Sequence, residues 1–108
     1  MANEYKIIIT PDAEQDLIQI RNYIMYQLEE PETAIKYIRK IKNEILQLSY
    51  LAPSIKIEDE EPLHSMGIRK LITENYYTYF EINDNTNEIY VLNIIYKGRD
   101  QLKALNIK

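Results

Sequence analysis

The sequence predicts an α+β fold with the element order βααβββ: an N-terminal strand, an antiparallel helical hairpin packed on one face of a four-stranded antiparallel sheet, and a short C-terminal tail or helix. Three observations predict it. Apolar residues recur at spacings of three and four in two adjacent segments, over 13–28 and over 34–48, which is the period of a helix with one buried face. Three later segments, 68–73, 76–82 and 89–96, are mostly β-branched and aromatic and are separated by polar turns, the pattern of a strand meander. The chain has 108 residues, the length of a single domain around one core, since domains cluster near roughly 100–150 residues.

Taken in order, Tyr5 to Ile9 form a short strand, and Thr10-Pro11-Asp12 starts a helix. Thr10 is suited to the N-cap and Pro11 to the first helical position, where its missing N–H costs nothing. Ala13, Leu17, Ile20, Ile24 and Leu28 share one face, while Glu14, Gln15, Asp16, Gln19, Arg21 and Asn22 form the other. Glu29-Glu30-Pro31 interrupts the pattern, because proline disfavours helical geometry in the residue before it and suits the first turn of a new helix. Ala34, Ile38, Ile41, Ile45 and Leu48 mark the buried face of the second helix, with Lys36, Lys40, Lys42 and Glu44 turned away. So short a link makes the two helices antiparallel.

Ser49 to Pro53 ends the hairpin. Residues 54–65 lack periodicity, contain Pro62 and the run Glu58-Asp59-Glu60-Glu61, and read as an irregular surface connection. Glu74-Asn75 and Asn83-Asp84-Asn85-Thr86-Asn87 are the turns between Ile68–Thr73, Tyr76–Ile82 and Ile89–Tyr96. In the tail from Gly98 to Lys108, Leu102 and Leu105 have helical spacing. With the hairpin on one face, the opposite sheet face is expected to be open and to carry binding chemistry.

Composition narrows the function. Thirteen Lys and Arg against seventeen Asp and Glu give a net charge of −4, and the acidic run at 58–61 accounts for the whole imbalance. A uniformly basic nucleic-acid wrapper is excluded, while a local basic patch is not. Without cysteine there is no disulfide framework, thiolate metal site or cysteine nucleophile, which suits a reducing cytoplasm. No apolar run approaches the roughly 18–20 residues of a membrane span, and the N-terminus lacks the pattern of a signal peptide. No membrane partner, metal or cofactor is expected. Two glycines, 67 and 98, cannot form a phosphate-cradling loop. The acids at 58–61 lack the alternating spacing and turn glycine of a calcium loop and read as a solvated loop. His64 reads as a loop histidine.

What remains is a set of basic and phenolic groups on the strands. Arg69 and Lys70 open the second strand, Tyr76, Tyr77 and Tyr79 lie on the third, and Tyr90, Tyr96, Lys97 and Arg99 lie on or just beyond the fourth. Alternation puts Tyr77 and Tyr79 on one face and Tyr76 with Thr78 on the other. Guanidinium forks and phenol rings together suit an RNA or DNA strand; the same tyrosines suit packing and protein interfaces.

The order and spacing of several segments, Tyr5-Lys6-Ile7-Ile8-Ile9 with Thr10 to Leu17, Ile20-Arg21-Asn22-Tyr23-Ile24, Ala34 and Tyr37, Leu48 with Pro53, Gly67-Ile68-Arg69-Lys70-Leu71, Asn75 to Phe80, and Ile94 to Asp100, resemble the RelE/ParE superfamily of bacterial toxins over nearly the whole chain. The resemblance implies the toxin of a two-gene type II toxin–antitoxin module, growth-inhibiting when free and neutralised by a cognate antitoxin in a toxin–antitoxin hetero-oligomer. RelE-like members cut messenger RNA on the ribosome without a metal, through attack of the ribose 2′-hydroxyl; ParE-like members act on DNA gyrase. Fold cannot choose between them.

Residue by residue, the resemblance implies that Arg99 is a phosphate contact or transition-state stabiliser and that Arg69 matches the arginine opening the second strand, for which a structural role is equally open. Tyr96 stands where many relatives carry a histidine, and Tyr77 where the RNA-cutting members carry an arginine. No tyrosine follows Tyr96. The catalytic candidates are Arg99, Tyr96 and Arg69, and the RNA- or target-binding candidates are Lys70, Tyr77, Tyr79 and Lys97. The incomplete catalytic set leans to ParE-like action on gyrase. The alternatives are a RelE-like mRNA endonuclease and a non-toxic protein-interaction domain of the same fold.

Overall fold

The computed structural model describes residues 4–106. Strand β1 (Lys6–Ile9) passes through Thr10 into helix α1 (Pro11–Asn22). The Thr10 hydroxyl accepts from the Ala13 N–H at 3.3 Å, capping the helix, and donates to the Val91 carbonyl at 2.7 Å. One side chain thus fixes both where α1 starts and where it sits above the sheet.

At its end the first helix widens into a π-helical turn (Tyr23–Gln27), in which the Leu28 N–H reaches back five residues to the Tyr23 carbonyl at 3.2 Å. A wider turn rotates each residue by less than the α-helical step. Leu28, which helical spacing assigns to the buried face, therefore swings outward and is 48% exposed. Glu29, at a φ of 54°, turns the chain into α2 (Pro31–Leu46), followed by the short α3 (Leu48–Leu51) and a 3₁₀ turn at Ala52–Ser54. Ala34, Ile41, Ile45 and Leu48 are buried as their spacing requires.

Strands β2 (Arg69–Thr73), β3 (Tyr76–Asn83) and β4 (Glu88–Tyr96) form the expected antiparallel meander. Strand β1 joins its free β4 edge in parallel, with Lys6 opposite Glu88 and Ile9 opposite Val91, so the order is β1-β4-β3-β2 and the sheet is mixed. The fully antiparallel sheet expected from sequence is corrected at this pair. Strand propensity in so short a segment specifies extended backbone and carries no direction. The direction follows from Thr10, whose bonds to Val91 launch α1 back across the same sheet.

The hairpin and sheet enclose the larger core, centred on Leu17, Ile41, Ile45, Leu48, Phe80, Ile89 and Val91. The opposite sheet face, expected to be open, is covered as well. There Leu63, Ile68, Tyr79 and Ile95 form a second cluster with Leu92, Leu102 and Leu105 against it. The lid consists of the 58–67 connection and the C-terminal segment containing α4 (Gln101–Ala104). Leu63, at 2% exposure, pins the acidic connection to the sheet, and isolated apolar residues of this kind have no period to reveal them. Among the described residues no helix is long and apolar enough to cross a membrane.

Between Tyr79, opposite Asn93, and Phe80, opposite Val91, the register shifts and leaves Leu92 as the extra residue of a bulge in β4. Bulges re-aim the side chains beyond them. The bulge lets Ile89, Val91 and Ile94 all serve the larger core, and it aims the end of β4 at the helical hairpin.

Candidate functional site

Where β3 begins and β4 ends, the sheet and the outer end of the hairpin leave a groove of about 630 Å³. Asp16, Gln19 and Tyr23 of the first helix line it together with Tyr37 of α2, Tyr76 of β3, and Tyr96 and Arg99 at the end of β4. Tyr76 and Tyr96 are cross-strand partners, so their rings emerge on the same face. Tyr37 follows Ala34 by three residues and precedes Ile41 by four, which places it on the sheet-facing side of α2.

The three rings form an edge-to-face chain. Tyr37 and Tyr76 have centroids 6.4 Å apart at 74°, and Tyr76 and Tyr96 are 5.9 Å apart at 65°, the geometry that ring quadrupoles favour. Gly98 belongs to this arrangement by having no side chain. A Cβ there would stand 2.5 Å from Cε2 of Tyr96, so any other residue displaces the ring. Burial, and after it the neighbouring phenols, hold the Tyr76 hydroxyl above the ordinary phenol range; at neutral pH Tyr76 is a neutral donor and not a base.

Charge in the groove comes from three groups. The Asp16 carboxylate accepts from the Ile94 N–H at 2.9 Å and from Asn93 Nδ2 at 3.0 Å, bracing the helix against β4. Glu30 accepts from the Thr33 hydroxyl at 3.4 Å. The Arg99 side chain is exposed and makes no hydrogen bond or ion pair among the described residues, while the residue's backbone N–H donates to the Tyr96 carbonyl at 3.1 Å. Among the described residues no lysine or histidine lines the groove. It can stack, donate phenolic hydrogen bonds and pair ions.

The sequence candidates divide among three places. Tyr96 and Arg99 meet in the groove, and exposed Lys97 follows Tyr96, its N–H donating to the Asn75 carbonyl at 2.8 Å. Arg69 lies four strand positions from the Tyr76 end, about 14 Å along the sheet. Its Nη1 donates to the carbonyls of Ile55 at 2.7 Å and Ala52 at 3.3 Å, where the 3₁₀ turn ends and a positive charge is favoured. Lys70 and the two remaining tyrosines lie on the opposite face. Lys70 Nζ pairs with Glu58 at 3.2 Å and stands 4.3 Å over the Tyr77 ring. Tyr79 is 1% exposed and donates to Gln101 Oε1 at 3.0 Å, its hydroxyl driven well above the phenol range chiefly by burial.

The family model that matches the sequence describes the ParE toxin of type II toxin–antitoxin systems, parDE, and the match spans residues 7–101. The chain belongs to the ParE toxin family. Two solved structures share the fold of this ParE-family chain. One, from the chromosomal ParDE toxin–antitoxin system of P. aeruginosa, is 24% identical with a TM-score of 0.72, covering 88% of this chain and 98% of that one. The other, from the RelBE2 toxin–antitoxin complex of Mycobacterium tuberculosis, is 15% identical with a TM-score of 0.60, covering 86% and 98%. No curated protein sequence matches the chain. As a member of the ParE family, the chain is the toxin component of a type II toxin–antitoxin system.

Sequence reasoning missed how this ParE-family toxin builds its groove. Asp16 looks like one more solvated helix residue, and Tyr23 and Tyr37 were legible only as matches to the family pattern. A weak signal existed: both tyrosines lie within or beside the apolar stripes of the two helices, at the hairpin end nearest the Glu29-Glu30-Pro31 break.

Proposed function

We propose that this ParE-family toxin acts by protein contact, directed at DNA gyrase in the cytoplasm when free and held inactive by a cognate antitoxin in a hetero-oligomer. The observation that carries the reading is the lining of the groove, with tyrosine rings, two carboxylates and one guanidinium. Cutting RNA asks for a base on the 2′-hydroxyl, an acid on the leaving oxygen and positive charge around the phosphate. Arg69 and Lys70, which would add that charge, are engaged by the Ile55 carbonyl and by Glu58. In this reading Arg99 and Tyr96 contact the target, Lys97 supports them, and Arg69, Lys70, Tyr77 and Tyr79 hold the fold.

A RelE-like mRNA endonuclease remains as a second reading because Tyr96 and Arg99 share one groove, where they could serve as proton donor and phosphate contact. Expression of the chain alone in bacteria tests both readings. Growth arrest relieved by the antitoxin, with intact messages by primer extension and impaired gyrase supercoiling, is the expected result. Discrete ribosome-dependent cuts with normal supercoiling would transfer the assignment to the second reading. Absence of arrest would leave a non-toxic interaction domain.

A further inference from the structure

The groove has an unusual balance of groups for a target-contact site. Three rings in an edge-to-face chain border the cavity, and Tyr96 among them is 46% exposed. The negative face of a phenol ring attracts cations. Asp16 and Glu30 outnumber Arg99 among its charged walls, which adds a net negative charge to the aromatic surface. Glu29 and Glu32, both exposed, flank Glu30 in the sequence.

We infer that the groove receives an arginine side chain of a partner polypeptide. Tyr37, Tyr76 and Tyr96 offer ring faces to the planar guanidinium, and Asp16 and Glu30 offer carboxylate oxygens to its N–H groups. Arginine fits better than lysine because its weakly hydrated plane stacks on aromatic faces while its edge forks onto carboxylates. The groove of about 630 Å³ has room for an arginine side chain together with part of the polypeptide that carries it. Arg99 faces the same space from the end of β4, and its charge orients the incoming guanidinium toward the opposite, carboxylate side. The inference rests on the reading of the groove as a protein-contact site and specifies the chemistry of the contact.

The test uses the purified chain and small probes followed by tyrosine ring resonances in NMR. N-acetyl-arginine amide is expected to produce saturable shifts in Tyr76 and Tyr96 at millimolar concentrations. N-acetyl-citrulline amide, which keeps the shape without the charge, should bind about threefold to fivefold more weakly. N-acetyl-glutamate amide should not compete. Glu30→Gln, a change at an exposed position that leaves the Asp16 brace intact, should weaken arginine binding by about threefold at an unchanged melting temperature. Equal binding of citrulline, tighter binding of glutamate, or no saturable shift with arginine overturns the inference. Growth arrest is scored separately. Arrest without arginine binding removes the inference alone, and arginine binding without arrest removes the toxin mechanism alone.

Discussion

The carboxylate of Asp16 accepts the Ile94 N–H at 2.9 Å, joining the middle of the first helix to β4 two residues past its bulge. The same oxygen takes Asn93 Nδ2 at 3.0 Å. This brace sets the height of the hairpin over the groove and satisfies a backbone donor that is otherwise enclosed.

Asp16→Ala is therefore expected to destabilise the fold by about 2–3 kcal/mol, the usual cost of removing a charged acceptor from part-buried donors. Asp16→Asn, which keeps an acceptor oxygen, should lose about half of that. Urea unfolding of both variants provides the measurement, and a loss in the alanine variant below about 0.5 kcal/mol would show the donors to be met by solvent.

Gly98→Ala is expected to move the Tyr96 ring, because the new methyl would lie against its Cε2. Gly98 is exposed on a turn, so the stability change should stay within about 1 kcal/mol. The near-ultraviolet circular dichroism of the tyrosine chain should change and toxicity should fall together. Unaltered aromatic signals would mean that the ring and the turn adjust without separating from Tyr76.

Arg99 and Arg69 should behave in opposite ways. Arg99→Ala is expected to abolish growth inhibition with a stability change of about 0.5 kcal/mol or less, as for an exposed side chain with no partner among the described residues. Arg69→Ala should cost about 2 kcal/mol because three carbonyls at 52, 53 and 55 lose their charged donor. Arg69→Lys should recover part of that stability, since all three bonds leave the single Nη1 nitrogen and an ammonium keeps the charge without the planar guanidinium. Melting curves beside growth assays separate the two roles, and a reversed pattern would exchange them.

Alkaline pH should destabilise the protein through the phenols of buried Tyr79 and partly buried Tyr76. Tyr79 and Tyr76 bind their protons more tightly in the folded chain than the ordinary phenol value near 10. The folded state thus holds more protons than the unfolded state once pH exceeds that value, so stability is intact below about pH 10 and declines as pH rises toward the folded pKa. Tyr79→Phe should flatten this decline while forfeiting the bond to Gln101. Unfolding free energies measured from pH 8 to 11 check the sign; a flat profile in the native protein would contradict it.

The helices and the meander were legible because their signals are periodic. Ala34, Ile41, Ile45 and Leu48 became buried at the spacings that announced them, and Thr10 capped the helix it was expected to cap. Leu28 departed from its stripe because one π turn, which no composition signal marks, shifted the period. Leu63 and the C-terminal leucines were not recognised as a second core because their partners lie on distant strands and no period connects them. Tyr96 and Arg99 were readable as candidates, while the separation of Arg69 from them required the register of β2 against β3.

The sequence by itself determined the element order, the faces of the two helices, the meander and the resemblance to a toxin superfamily, all of which depend on local propensity and short-range spacing. Tertiary structure alone decided that β1 runs parallel to β4, that the second sheet face is closed, and that four tyrosines from both helices and two strands converge beside Arg99. The reason is physical. Strand direction, the covering of a face and a shared groove are relations between segments far apart in the chain, and they are fixed by contacts such as Thr10 to Val91 and Asp16 to Ile94, whose partners no local pattern joins.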